Sequence, residues 1–176
     1  GSDPEKLRQL AQFLSDENRK RQDLESTILE AALAQVESQE LYKDDIIIVV
    51  GEKWHSGVIG IVASRIQEQY YNPVIVISVE DGIGKASCRS VEGFNIFAAL
   101  QSCDEYFSSF GGHDQAAGFS IKTENIAPMI EKIKKYGEFV EIKKYLIKKI
   151  PYDAIIEEQE ITWELLSDCS YFEPCG

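Results

Sequence analysis

Hydrophobic and polar positions follow two different periods along the chain, and the change falls near residue 45. Before that point, residues 4–37 are nearly free of helix-breaking residues, and their leucines, isoleucines and alanines recur at helical spacing. That spacing predicts one long, or once-broken, amphipathic helix. Its densely charged middle, "DENRKRQDLE", is typical of the solvated face of a connecting helix. After residue 45 the apolar residues come in short runs instead.

The first short runs predict a βαβ unit. "DIIIVVG" (45–51) has the composition of a strand that is buried on both faces, and "NPVIVISVE" (72–80) begins a second such strand after a proline. Between them, "SGVIGIVASRIQEQYY" (56–71) predicts a helix capped by Ser56, with Gly57 and Gly60 leaving one face bare enough to lie close on a sheet. A strand, a helix and a strand in this order predict two parallel strands with a right-handed crossover.

The rest of the pattern adds elements of both kinds. The further predicted elements are strands at 84–90 and 118–122, helices at 94–107 and 125–146, an edge strand at 152–161, and a helix at 162–172 with Thr162 as its N-cap. The whole predicts an α/β fold with a mixed, mainly parallel sheet flanked by helices and a long N-terminal helix. We expect three units: a connecting helix over 1–44, the main domain over 45–150, and the edge strand and last helix over 151–176.

Charge limits what the chain can bind. Its 18 basic and 30 acidic residues give a formal net charge of −12. Non-specific adhesion to nucleic acid or to an anionic membrane takes its affinity from phosphate neutralisation, so this balance argues against both. A nucleic-acid site on this chain must therefore be local and shaped.

Cysteine usage and apolar run length indicate a protein of the reducing cytoplasm. Cys88, Cys103, Cys169 and Cys175 lack the C-x-x-C spacing of zinc sites and are too scattered for a disulfide framework, so reduced thiols are expected. The apolar runs are far shorter than a membrane span, so we expect no membrane partner. Residues 1–2, Gly-Ser, are interpreted as a cloning remnant.

His55 follows a predicted strand and precedes a predicted helix. Ligands of open α/β sheets bind at such junctions, because the first backbone N–H groups of the helix are unpaired and favour an anion. A capping or packed histidine is an equally good interpretation of this position taken alone.

A second candidate lies in "GIGKASCRS" (82–90). It is not a Walker A loop, because Val79 and Ala86 stand where that motif needs a glycine and a serine or threonine. Lys85, Ser87 and Arg89 alternate and therefore share one face of the predicted strand. A hydroxyl beside a guanidinium suits a terminal phosphate, although a surface salt bridge is the commoner use of such an arginine.

His113 is the third candidate. Gly111 and Gly112 precede it, and the small residues 116–118 follow it, so another chain or a ligand can approach this backbone closely. A histidine that merely packs in a core would not need such neighbours, which favours a functional site. The sequence offers no serine nucleophile elbow, no paired carboxylates and no ligand cluster for a two-metal centre.

Three motifs in this order, "WHSGVIGIVASR", "GKASCRS" and "FGGHDQAAGFSI", closely resemble the DHH-associated domain of the RecJ family. That family, in the DHH superfamily, comprises exonucleases that degrade single-stranded DNA from 5′ to 3′. "LSDENRKRQDLESTIL" (14–29) is similar to the helix that joins its catalytic DHH domain to this domain. "LLSDCSYFEPCG" (165–176) is similar to the entry into its oligonucleotide-binding domain.

The resemblance implies roles for the candidate residues. Ser87 and Arg89 match the residues of the pocket for the DNA 5′-phosphate, which sets the polarity of degradation. His113 would face the metal centre across a cleft and contact the phosphate being cleaved, as an assisting catalytic residue. The metals, Mn²⁺ or Mg²⁺, would be held by the DHH domain, and none by this chain.

The remaining candidates are implied to bind substrate. They are Gly111, Gly112, Lys85 and His55, of which His55 belongs to the family's Trp-His element. Cys88 and Cys175 depart from the small residue and the glycine-rich exit that are usual in the family. Neither departure disturbs the implied site.

The resemblance also implies the biological setting. The expected partners are single-stranded DNA and the DHH and oligonucleotide-binding domains of the same polypeptide, acting in cytoplasmic DNA repair and recombination. The 176-residue chain alone is expected to be inactive. The alternatives are a nano-RNase or cyclic-dinucleotide phosphodiesterase of the same superfamily, or a non-catalytic nucleic-acid-binding module.

Overall fold

The structure is a computed structural model that describes residues 4–149, 152 and 154–172. Residues 1–2 and Cys175, on which the sequence raised expectations, lie outside the described residues. The helices are α1 (Pro4–Ser38), α2 (Ile59–Tyr70), α3 (Ile96–Gln101), α4 (Ile126–Phe139) and α5 (Trp163–Cys169). The strands are β1 (Ile47–Glu52), β2 (Val74–Glu80), β3 (Ile83–Arg89), β4 (Phe107–Gly112) and β5 (Ala116–Lys122). The α/β class and the long N-terminal helix are thus confirmed.

The five strands form one mixed sheet in the order β1-β2-β3-β5-β4. β1 and β2 are parallel, as predicted for the βαβ unit, but the three other neighbouring pairs are antiparallel. The expectation of a mainly parallel sheet was therefore wrong. β3 is antiparallel to β2 because a two-residue turn joins them. Asp81 and Gly82 in this turn both have positive φ, 49° and 77°, as in the tight hairpin that Asp-Gly favours. So short a turn leaves no room for a crossover, and β3 runs back beside β2.

Two apolar layers cover the sheet unequally. On one face, α1 and α2 bury residues that include Val36, Val49 and Val76. On the other face, α3 and α4 bury Ile75, Phe119 and the rest of a larger cluster. β1 and β2 are buried on both faces, whereas β3 alternates between buried and more exposed positions. The α2 side of the sheet is consequently uncovered beyond β3.

Gln35 fixes α1 against the free edge of the sheet. Its side-chain amide accepts a hydrogen bond from the backbone N–H of Val50 at 2.9 Å and donates to the carbonyl of the same residue at 3.2 Å. The amide thus replaces part of a missing neighbouring strand on β1. The first half of α1 carries exposed apolar residues, among them Leu7 and Leu10 at 53% and 54% exposure.

Helix α2 begins three residues later than predicted. Val58 occupies the N-cap position without a side-chain hydrogen bond, and Ser56 is exposed in the preceding turn, so the expected Ser56 cap was wrong. His55 organises this turn instead. Its ring Nδ1 accepts from the backbone N–H of Gly57 at 3.1 Å, and its carbonyl accepts from Val58 at 3.0 Å.

The sequence pattern missed one strand and predicted one that the structure lacks. β4, "FSSFGG", contains no β-branched residue and was not recognised. The described residues of 152–161 form no strand; their regular structure is a 3₁₀ turn at Glu158–Glu160. Tyr152 and Ile155 are 72% and 78% exposed, so the alternating pattern has no sheet edge to pair with. Helix α5 does follow, and the Thr162 hydroxyl caps it by accepting from Leu165.

Of the cysteines that the structure describes, Cys88 and Cys103 are buried in the core. Burial raises the pKa of the Cys103 thiol to about 11, and it also raises the pKa of Cys88 well above its usual range. Both are thereby kept as inert thiols, since the thiolate is the reactive form. Cys169 is exposed and free.

Two adjacent glycines, Gly111 and Gly112, end β4. The hairpin requires glycine at position 112 but not at position 111. Gly112 has φ +143°, and a Cβ there would lie 2.4 Å from Ala117 Cα. Nothing lies within 4 Å of the corresponding position at Gly111. We expect Gly112→Ala to lower the free energy of unfolding by roughly 1–3 kcal/mol from backbone strain alone, and the clash adds to this. Gly111→Ala should leave stability nearly unchanged.

Urea denaturation of the two variants, followed by circular dichroism, tests this contrast. Equal stability of Gly112→Ala and Gly111→Ala would contradict the described hairpin geometry.

Candidate phosphate-binding site

Arg89 lies near the end of β3, and neutral oxygen atoms hold its guanidinium. Nη1 donates to the Ser87 hydroxyl at 3.1 Å and to the Cys88 carbonyl at 2.8 Å, while Nε donates to the Ser64 hydroxyl at 3.0 Å. Arg89 belongs to none of the ion pairs found among the described residues. Among the described residues, Arg89 therefore does not form the surface salt bridge that was the alternative interpretation. A half-buried positive charge without a carboxylate is available to an external anion.

Helix α2 approaches this pair of side chains closely because it carries a glycine there. A Cβ at Gly60 would lie 3.0 Å from Arg89 Nη2 and 3.1 Å from the Ser87 hydroxyl oxygen. The predicted role of Gly60 in close helix–sheet contact is thus confirmed. Gly57 acts differently, since a Cβ at that position would meet the His55 ring rather than the sheet.

On β5 and β4, the part of this side next to Ser87 and Arg89 carries small residues. Directly paired residues of neighbouring strands face the same side, so the register places Gly118 beside Ser87, Ala116 beside Arg89 and Ser120 beside Lys85. On β4 the row continues with Gly111 beside Gly118 and Ser109 beside Ser120. We call this surface the bare sheet face. Its residues are Ser109, Gly111, Ala116, Gly118 and Ser120.

His113 stands at the tip of the β4–β5 hairpin, at the margin of the bare sheet face. Its backbone N–H donates to the carbonyl of Ala116 at 2.8 Å, and Ala116 pairs in turn with Arg89. His113 is exposed, and within the described ranges no hydrogen bond of its imidazole is found. The topology thus brings His113, Gly111, Ser87 and Arg89 to one end and one side of the sheet. Gly112 lies at the same end, but it pairs with Ala117 and faces the other side.

Lys85 and His55 line a separate cleft of about 840 Å³ between α1, the β1–α2 connection and the β2–β3 hairpin. Its walls carry Asp23, Glu80 and Asp81 as well as Lys53 and Lys85, so carboxylates outnumber ammonium groups. Ser87, Arg89 and His113 are not among its lining residues. Among the described residues no hydrogen bond joins His55 to Ser87 or Arg89, and the mixed charge of this cleft suits a polyanion less well.

Ser64 also contacts Arg89, although it was not among the candidate residues predicted from the sequence. It lies one turn after Gly60 on α2, and its hydroxyl donates to the Gly60 carbonyl at 3.2 Å while accepting from Arg89. The helical spacing of Gly60 and Ser64 places both on one face of α2, which is the signal that was available.

In the part of the chain that the structure describes, no group of three or more histidine, cysteine, aspartate or glutamate side chains could hold a metal ion. Over the same residues, no helix combines the length and apolarity needed to cross a bilayer.

Comparison with known proteins places this geometry in a family. Residues 43–138 match the family model described as the DHHA1 domain. The chain is 32% identical over 171 residues to the single-stranded-DNA-specific exonuclease RecJ of Bacillus subtilis, an alignment that covers 96% of this chain and 22% of that protein. It is 33% identical over 141 residues to the protein of the same name from Escherichia coli, covering 76% of this chain and 24% of that protein.

Solved structures agree with the sequence comparison. RecJ of Thermus thermophilus, solved in complex with Mn²⁺, superposes with a TM-score of 0.80 at 25% identity, over 100% of this chain and 26% of that chain. A manganese-bound exonuclease RecJ gives a TM-score of 0.68 at 29% identity, over 77% of this chain and 33% of that chain.

The chain thus spans about a quarter of the length of the curated relatives named above. The family model covers more than half of this chain, and the match includes β1 to β5, the Ser87–Arg89 pair and the His113 hairpin. The chain therefore belongs to the DHHA1 domain family, and it is a RecJ-like member.

Proposed function

We propose that this domain binds the 5′-phosphorylated end of single-stranded DNA for a RecJ-type exonuclease. The observation that carries the proposal is the Arg89 guanidinium, which is half-buried, held by uncharged oxygens and not neutralised by a carboxylate. A terminal phosphate carries more negative charge than an internal phosphodiester, so such a cation favours the end of a strand. Ser87 adds a hydroxyl that can donate to the same phosphate.

The bare sheet face supplies the space that a DNA strand needs. Gly111 has no atom within 4 Å of where its Cβ would be, and Ser109 is exposed. A sugar-phosphate backbone can therefore run along β5 and β4 without meeting a bulky side chain. A surface of this kind selects single strands by shape and by a few local contacts, which fits a chain of net charge −12.

His113 is proposed as an assisting catalytic residue that contacts the phosphate being cleaved. It lies in the same cross-strand row as Arg89 and projects from a hairpin tip. Hydrolysis in this proposal uses Mn²⁺ or Mg²⁺ bound by a DHH domain, because the described residues offer no ligand cluster of their own. An imidazole donor opposite the metals would help to hold the scissile phosphate in line.

The relatives guide the choice among the alternatives. Both curated relatives described above bear the name of a single-stranded-DNA-specific exonuclease, which favours that activity over a nano-RNase or a cyclic-dinucleotide phosphodiesterase. We accordingly propose the bacterial cytoplasm, DNA repair and recombination as the setting, with the DHH and oligonucleotide-binding domains of one polypeptide as partners.

The phosphate assignment is tested with Arg89→Ala in the full-length protein. Affinities for 5′-phosphorylated and 5′-hydroxyl oligothymidylate are compared by fluorescence anisotropy. A charge-assisted hydrogen bond is worth about 1.5–3 kcal/mol, so the variant should lose about tenfold or more of the wild-type preference for the phosphorylated end. Arg65→Ala is the matched control, because Arg65 lies on α2 in ion pairs with Glu25 and Glu68. An unchanged preference in Arg89→Ala would refute the assignment.

The division of labour between domains gives a second test. The 176-residue chain, incubated with 5′-phosphorylated single-stranded DNA and Mn²⁺, should release no mononucleotides, while the full-length protein serves as the positive control. Hydrolysis by two metals needs ligands that the described residues do not supply. Robust release of mononucleotides by the chain alone would refute this part of the proposal.

A further inference from the structure

The Arg89 guanidinium uses only part of its donor set within the protein. The Nε donor and both Nη1 donors are engaged, by Ser64, Ser87 and the Cys88 carbonyl. An arginine has five N–H donors in a rigid plane, so the two on Nη2 remain for an external ligand. No hydrogen bond of Nη2 is found within the described ranges. The Ser87 hydroxyl accepts from Nη1, and its own hydrogen is likewise left to donate.

These free donors face helix α2 at the one position where it has no side chain. Both the Nη2 atom and the Ser87 hydroxyl lie about one contact distance from where a Gly60 Cβ would be, at 3.0 and 3.1 Å. An alanine methyl there would lie against both donors and cover them. Gly60 therefore keeps the donors accessible, in addition to allowing α2 to lie close to the sheet.

Ser64 fixes the direction of the same guanidinium. A free arginine side chain has several rotatable bonds, and ordering it on binding costs conformational entropy. Three hydrogen bonds fix the plane of the Arg89 guanidinium before any ligand binds. They are the bond from Nε to the Ser64 hydroxyl and the two bonds from Nη1. Ser64 is itself anchored by its own bond to the Gly60 carbonyl.

We propose that α2 is the positioning element of the phosphate site: Ser64 orients the Arg89 fork, and Gly60 leaves its two free donors uncovered. Neither residue needs to touch the DNA for this. The inference rests on the proposed function, because it assigns to α2 the pre-organisation of the same phosphate-binding pair.

Ser64→Ala in the full-length protein tests the orienting role. The preference for 5′-phosphorylated over 5′-hydroxyl oligothymidylate should fall about fivefold, since a hydrogen bond to a charged group is lost. Ser64→Thr, which keeps the hydroxyl, should retain the preference. In an Arg89→Ala background, Ser64→Ala should not change the phosphate preference further, because the side chain that Ser64 orients is already absent. The matched control is Ser102→Ala, whose hydroxyl also donates to a helix carbonyl but on the other side of the sheet.

Gly60→Ala separates function from stability. Alanine favours a helix more than glycine does, but its methyl would crowd Arg89 Nη2 at 3.0 Å and the Ser87 hydroxyl oxygen at 3.1 Å. Because these two effects oppose each other, the melting temperature should change little, while the phosphate preference should fall about tenfold because both donors are covered. Preserved preference in both Ser64→Ala and Gly60→Ala, with Arg89→Ala still defective, would overturn the role of α2 and leave the proposed function standing. Preserved preference in Arg89→Ala itself would instead overturn the proposed function.

Discussion

The proposed site depends on the Arg89 charge, which is half-buried and forms no ion pair among the described residues. Arg89 can stay half-buried in this way because three uncharged oxygens, from Ser64, Ser87 and the Cys88 carbonyl, accept its hydrogen bonds. A carboxylate in the same place would satisfy the charge and leave nothing for a ligand. The neutral acceptors stabilise the geometry of the guanidinium and preserve its net charge. Every other feature of the site, from the glycine on α2 to the small residues of β5 and β4, leaves that charge reachable.

The fold provides this arrangement through an asymmetry between the two sides of one sheet. On the α3 and α4 side, apolar residues from all parts of the sheet are buried, and this side supplies most of the core. On the α2 side, burial stops at β3, where the strand alternates between buried and open positions. The register then carries small residues across β5 and β4. One side of the sheet thus packs into the core, and on the other side β5 and β4 present an open surface.

The sequence predicted the elements with a strong period and the shared strand face of Ser87 and Arg89. Apolar spacing predicted the long helix and the βαβ unit, and a capping hydroxyl marked the helix after Thr162. Strand alternation predicted that Ser87 and Arg89 share one face. The direction of β3 was missed, although Asp81-Gly82 is a strong hairpin signal. β4 was missed because its glycines and serines have low strand propensity and are held by pairing with β5. The contact between Ser64 and Arg89 depends on how α2 lies over the sheet, which no local pattern specifies.

A phosphorylated DNA end bound on the α2 side of the sheet should perturb residues of that side and leave α4 unaffected. Chemical-shift mapping of the ¹⁵N-labelled chain, titrated with 5′-phosphorylated oligothymidylate, measures this contrast. We expect shifts of the Arg89 Nε signal and of the Gly60, Gly111 and Gly118 amides, with the amides of Ile126–Phe139 on α4 unchanged. Shifts confined to α4, or an unperturbed Arg89 Nε signal at saturating DNA, would contradict binding on the α2 side.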